Sequence, residues 1–257
     1  MPNLAAGGQN QEGFLENLGI LIGLLVTDGY INPKNYSITF TGNSEELQNK
    51  FKELLEFFGV EKFYERIDDK NVKVTQVKNK NLVNLVLSYI PTVKTKDNTK
   101  ITLPNFFWKL EKKKLANILK YMFSADGAVI LGIRWHKFKK KWCFVRRVEF
   151  SSKNEYLKRE IKHLLEKKFN IKANCWKRGV VIEKKDEILK FQKEIRFVPG
   201  VKISKKSKRW EGFTKNQILD LVCKILKNKK SYFSTRIEIE NYLKSLLVVD
   251  RVQGSTG

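Results

Sequence analysis

Apolar positions along this chain recur in one order. A helical-length run, LIGLLVTDG (21–29), ends abruptly in an acid and a glycine, and LKYMFSADG (119–127) ends the same way. Gly29 and Gly127 suit left-handed helix stops. Beyond each, period-two alternation predicts a β-hairpin. The first pairs Tyr30–Ile31 with Tyr36–Thr41 around Asn-Pro-Lys-Asn; the second pairs Ala128–His136 with Trp142–Phe150 around a lysine-rich turn. Ser44 and Asn154 stand where N-caps are needed, ahead of amphipathic Leu/Phe spacing. A second hairpin, Phe63–Arg66 with Val72–Gln76, is matched by Lys172–Lys177 with Val180–Ile182. Short helices, Asn81–Tyr89 and Asp186–Ile195, close the two halves.

The pattern predicts α-β-β-α-β-β-α twice, an α+β chain with two four-stranded antiparallel sheets. Side chains repeat as well as elements. Phe40 falls on Phe150, Leu47 on Leu157 and Leu54–Leu55 on Leu164–Leu165, at a spacing of 110. The two Asp-Gly pairs, Asp28 and Asp126, lie 98 apart, and PTVK (91–94) returns as PGVK (199–202) at 108. Three anchors in the same order twice mark an internal repeat. The difference between 98 and 110 places about twelve additional residues in the second half's first hairpin. Segments 13–103 and 104–203 are therefore read as two repeats. Residues 204–250 form a C-terminal helical extension, with amphipathic helices near Thr214–Leu226 and Ser234–Leu247.

Charge narrows the function. Lys and Arg number 51 against 27 acids, a formal charge of +24 that a fold does not need and that costs self-repulsion. Binding phosphates offsets that cost by releasing condensed counterions, which points to nucleic acid. The lysines are spread along the chain rather than set on one amphipathic helix, which argues against a membrane surface. Three cysteines and two histidines without zinc spacing exclude zinc-dependent modules, and no Gly-rich phosphate loop is present. The N-terminus lacks the basic-then-apolar order of a secretion signal, so an intracellular, reducing compartment is expected.

The helix preceding the first Asp-Gly carries Gly19, Gly23 and Thr27, a stripe of small residues every four positions. Such a stripe admits a second helix closely. The repeat-equivalent positions are Asn117, Tyr121 and Ala125. Two such helices packed about a pseudo-two-fold axis would set each stripe against its counterpart, Gly23 facing Tyr121, and finish side by side with Asp28 and Asp126 at one end. Adjacent buried carboxylates repel unless a cation or proton intervenes, and magnesium with oxygen ligands answers that need.

At these residues the chain resembles the single-chain, two-repeat LAGLIDADG homing endonucleases, whose motif stands here as LIGLLVTDG and LKYMFSADG. The resemblance implies a saddle of two sheets in the DNA major groove. It also implies two or three Mg2+ ions shared by Asp28 and Asp126, and a double-strand break with short 3′ overhangs. It implies a long asymmetric duplex target, intron encoding, a monomer and no small-molecule cofactor. Basic or polar residues near the attacking water map to Lys94 and Lys202, repeat partners in PTVK and PGVK, with Asn43 and Lys153 as further candidates. The second motif departs at Tyr121, where the family carries a small residue, and at Ser124, which replaces the motif's first acid.

Strand parity nominates the DNA-facing side chains. They are Asn32, Lys34, Ser37, Thr39, Thr41, Tyr64, Arg66, Lys73 and Thr75 in the first half. In the second half they are Ile130, Arg134, His136, Arg147, Glu149 and Ser151, with Lys139, Lys140 and Lys177 in turns. Arg134 and Arg147 suit bidentate guanine contacts; the turn lysines suit phosphates. An RNA-binding intron maturase or a cleavage-inactive DNA-binding relative is the alternative, since Trp135, Trp142 and Trp176 could stack on bases.

Overall fold

The computed structural model describes residues 8–91, 101–204, 207–228 and 232–253. Lys94 and most of the connection between the halves lie outside them. Helix α1 (Gly8–Asp28) leads into β1 (Gly29–Asn32), β2 (Ser37–Thr41), α2 (Glu45–Phe57), β3 (Tyr64–Ile67), β4 (Lys73–Lys78) and α3 (Lys80–Tyr89). A single turn, α4 (Phe106–Lys109), precedes the second pass. That pass runs α5 (Lys112–Asp126), β5 (Gly127–His136), β6 (Lys141–Ser151), α6 (Glu155–Phe169), β7 (Asn174–Trp176), β8 (Gly179–Ile182) and α7 (Lys185–Glu194). The described residues close with α8 (Lys215–Lys227), β9 (Tyr232–Phe233) and α9 (Arg236–Gln253).

Both sheets are antiparallel and share one topology, β1-β2-β4-β3 and β5-β6-β8-β7. The anticipated caps form: Asn154 Oδ1 accepts the Leu157 N–H at 3.0 Å, and Ser44 Oγ accepts that of Leu47 at 3.5 Å. Strands β5 and β6 have 10 and 11 residues where β1 and β2 have 4 and 5, which locates the twelve additional residues. A feature absent from the sequence pattern is β9, which pairs with the far end of β6 through Trp142–Phe233 and Cys143–Tyr232. The extension is also anchored by Trp210, whose Nε1 donates to the Leu131 carbonyl at 2.8 Å. Among the described residues, no helix is long and apolar enough to cross a membrane.

Two expectations about the motif helices need correction. Neither Gly29 nor Gly127 is left-handed; Gly127 has φ −95°, and the chain passes straight from helix to strand. Glycine is required there by close approach instead. A Cβ at Gly29 would lie 2.5 Å from Leu25 Cα, and one at Gly127 would collide with the Phe123 carbonyl. Nor does Gly23 face Tyr121. A Cβ on Gly23 would lie 2.7 Å from Met122 Cγ, and one on Gly19 would collide with Ile118 Cδ1. The knobs from α5 are thus Ile118 and Met122, one position along from the repeat-equivalent stripe. Tyr121 is half-buried at the margin, where burial and the charges of Glu53 and Glu16 push its pKa up. Ala125 packs partly buried against the same core, and Thr27 Oγ1 turns back to donate to the Gly23 and Leu24 carbonyls.

This packing separates the two glycines. At Gly19 the obstructing atom is the tip of a flexible side chain, so Gly19→Ala should be nearly neutral once helix propensity is counted. At Gly23 the obstruction is mid-chain in Met122, and overpacking of about 1–3 kcal/mol should outweigh the roughly 1 kcal/mol gained from propensity. Urea unfolding of both variants checks the order.

Candidate active site and nucleic-acid face

Asp28 and Asp126 are the last residues of α1 and α5, so the glycine-mediated packing delivers both carboxylates to one place. Each is mostly buried. Burial pushes Asp28 up to about 6. Burial first, then the charge of Asp28, pushes Asp126 up to about 7. A cleft of about 230 Å3 opens against Asp126, bordered by Thr27, Ser151, Ser152, Lys153 and Asn154. Lys153, a sequence candidate, thus shares a cleft with the carboxylate.

The basic residue whose charge acts on both acids is one the sequence did not suggest. Lys215, the first residue of α8, is 8% exposed. Its Nζ donates to the carbonyls of Ser124 and Gly127, both at 2.6 Å. Its charge lowers the pKa of both aspartates, and burial pushes its own pKa down to about 8 against their pull. The sequence signal available was slight: a lysine next to Thr214, the residue that caps the start of an amphipathic helix. Lys202 is exposed near it, joined to Thr214 by an isolated β-bridge, and the Lys215 N–H donates to the neighbouring Val201 carbonyl at 2.8 Å. Lys94 lies outside the described residues. Asn43 is occupied structurally: its Oδ1 accepts the Lys73 N–H at 3.1 Å and its Nδ2 donates to Asn71 O at 3.4 Å. Ser124, where the motif departs, accepts the Val198 N–H at 2.7 Å and so ties α5 to the loop after α7.

A family profile described as a LAGLIDADG-like domain matches residues 15–89 and 113–196. This chain belongs to the LAGLIDADG family. Among solved structures, full-length DUF199/WhiA from Thermatoga maritima is 15% identical, with 96% of this chain and 69% of that one covered at TM-score 0.52. The LAGLIDADG meganuclease I-AabMI, bound to uncleaved DNA, is 13% identical, with 89% and 97% covered at TM-score 0.53. At these identities the likeness is one of fold. No curated protein matches by sequence.

Within this LAGLIDADG chain the register sorts the nominated DNA contacts. Ile38 and Phe40 are buried, which leaves Thr39 and Thr41 on the open face together with Asn32 and the unanticipated Tyr30, 48% exposed. Asn32 Oδ1 accepts the Lys34 N–H at 3.0 Å, which shapes the turn that carries exposed Lys34. Ser37 has the right parity but is buried, its hydroxyl donating to Asn35 at 2.7 Å. Tyr64 and Arg66 lie on the open face. Lys73 and Thr75 do not. Thr75 sits across from Phe40 on the helix side, buried, and donates to Gln48 Oε1 at 2.7 Å. Val74 and Val77 lie an odd number apart, so alternation alone admits either phase; Val77 opposite Ile38 selects the one that turns Gln76 and Lys78 outward.

In the second sheet Ile130, Arg134, His136, Arg147, Glu149 and Ser151 share the open face. Arg147 ion-pairs with Glu149 and lies over the Trp176 ring at 5.1 Å, so it reaches a base only by leaving Glu149. Arg134 is exposed. His136 Nδ1 accepts the Lys139 N–H at 3.3 Å, and Lys139 Nζ lies 4.3 Å from the Tyr232 ring centroid. Lys140 takes the left-handed turn position at φ 46°, and Lys177 lies exposed in the β7–β8 turn.

The fold favours neutral forms of both aspartates, so their contribution to stability is full below about pH 4 and is lost as pH rises through about 6 and 7. Asp126→Asn removes that loss. It should stabilise the metal-free protein by on the order of 2–4 kcal/mol at pH 8 and little at pH 4, read by urea unfolding. Lys215→Met should destabilise at pH 8, and far less when both aspartates are asparagine.

Proposed function

We propose that this chain is a Mg2+-dependent, site-specific endonuclease that cuts both strands of a long, asymmetric DNA duplex, leaving short 3′ overhangs. One observation carries the reading: the repeat-equivalent aspartates, distant in sequence, share one electrostatically coupled site beside an open cleft. The charge of +24 and the polar, basic open faces of both sheets support a duplex as partner. A catalytic pair drawn from one chain supports action as a monomer. An intron-encoded origin would make the uninterrupted exon junction the target.

The residues fit a hard divalent cation. Two carboxylates raised by burial, and Asp126 further by the charge of Asp28, favour any partner that supplies positive charge, and one Lys215 cation leaves a net negative site when both are ionised. Among the described residues no group of three His, Cys, Asp or Glu converges, so water and DNA phosphate would complete the shell. Bound magnesium supplies polarisation of the phosphoryl oxygen, a more acidic attacking water and stabilisation of the leaving oxygen. Asp28 and Asp126 would hold the cation, each through a carboxylate at the end of its helix. Lys153, on the cleft beside Asp126, and Lys202, exposed and bridged to Thr214 next to Lys215, are the basic residues that would offset charge on the phosphate. Lys215 keeps the carboxylate pair from repelling itself apart and locks α8 onto the end of α5.

With magnesium and a plasmid that carries the uninterrupted junction, the protein should linearise the DNA. Asp28→Asn should still retard the duplex on a gel and fail to cut; cutting by that variant overturns the assignment. Binding by the parent without cutting identifies the cleavage-inactive alternative. The cutting rate should climb as pH passes through about 6 to 7, because both carboxylates must ionise to hold the cation.

A further inference from the structure

Strands β1 and β5 both start at the residue after a site aspartate, so each leads outward from the same centre. They do not lead equally far. Strand β5 is 10 residues long and β1 is 4. At roughly 3.3 Å per residue the second arm reaches about 20 Å farther, the length of about six base pairs at about 3.4 Å each. A bare two-stranded ribbon of that length would be weakly held. Here β9 pairs with its outer end, and Phe233 packs edge-on against Phe144 at 5.7 Å. The extension thus stiffens the arm.

The arm's tip differs in chemistry from its counterpart. The first hairpin turns through Pro33, Lys34, Asn35 and Tyr36, with one lysine, whereas the second turns through Lys137, Phe138, Lys139 and Lys140, with Lys141 opening β6. Phe138 is 97% exposed, a ring held among cations and in edge contact with His136 at 6.4 Å. Lysines that flank an exposed aromatic ring on a basic open face complement a polyanion whose groove also presents apolar thymine methyl and sugar edges.

Building on the DNA reading above, we propose that the β5–β6 arm extends the duplex contact about six base pairs farther from the centre on the second repeat's side. Its turn lysines grip phosphates and Phe138 packs against a thymine methyl or sugar edge at the outer limit. The target is then unequal in half-site length as well as in sequence.

The test uses the intact protein in EDTA, so that it binds without cutting. It is presented with a duplex pool randomised over a span longer than both sheets. Hydroxyl-radical protection of the selected duplexes should extend about six base pairs farther on one side of the centre, which magnesium then reveals as the cut site. Phe138→Ala, at a position that touches the fold only through the His136 edge, should lose the outermost protection and about tenfold in affinity without changing the salt slope. Changing Lys137, Lys139, Lys140 and Lys141 to serine should shorten protection on that side alone. It should also flatten the dependence of log affinity on log salt by about 3–4. Equal protection on the two sides, or loss on both sides in these variants, overturns the inference and leaves DNA binding intact. Selection that enriches no duplex fails the underlying DNA reading instead.

Discussion

Everything functional in this chain depends on how closely α1 and α5 approach. Gly19 and Gly23 leave room on α1 for Ile118 and Met122 of α5, and that contact decides where the two helices end. Because each helix ends in an aspartate and passes directly into a strand, one interface sets three things. It places the carboxylates, orients the sheets outward and builds the core that buries both helices. The requirement for glycine at 29 and 127 belongs to the same constraint. A side chain there would strike the helix backbone or the helix side chains it has just left.

That arrangement carries an electrostatic cost that the rest of the fold offsets. Two buried carboxylates at one point are unfavourable, and the fold answers with a buried lysine from outside the repeats. Lys215 is held by carbonyls at the end of α5, so it senses the same helix terminus whose aspartate it balances. The extension therefore belongs to the site as well as to the core. With β9 on the long hairpin and Trp210 beneath β5, it makes the second repeat the heavier and stiffer half. The departure at Ser124 fits this logic. A hydroxyl there accepts a backbone N–H from the loop that leads toward α8, which an acid of greater length would displace.

Much of this was legible in the sequence, for identifiable reasons. Helices and strands follow from the period of their apolar residues, and internal repetition gave two independent readings of each element, so Phe40 and Phe150 confirmed one another. Caps were legible because Ser44 and Asn154 act within three residues of themselves. The doubled Asp-Gly singled out the acids because a helix end, an acid and a glycine are all local features. What misled was also local. Thr75 looked outward because alternation admits two phases, and only pairing of Val77 with Ile38 chooses between them.

The chain's sequence by itself determined its two-fold repetition, its element order, its family motif and the identity of the two acids, since these depend on neighbours along the chain. Tertiary structure alone decided that Met122 rather than Tyr121 enters the Gly23 gap and that Thr75 turns to Gln48. It alone decided that Lys215 completes the carboxylate site and that β9 joins β6. The physical reason is common to all four. Each contact joins segments far apart in the chain, where rotation of a helix by one residue or slip of a strand by one position changes the partner. Composition and spacing are unaffected by such shifts, and packing is not.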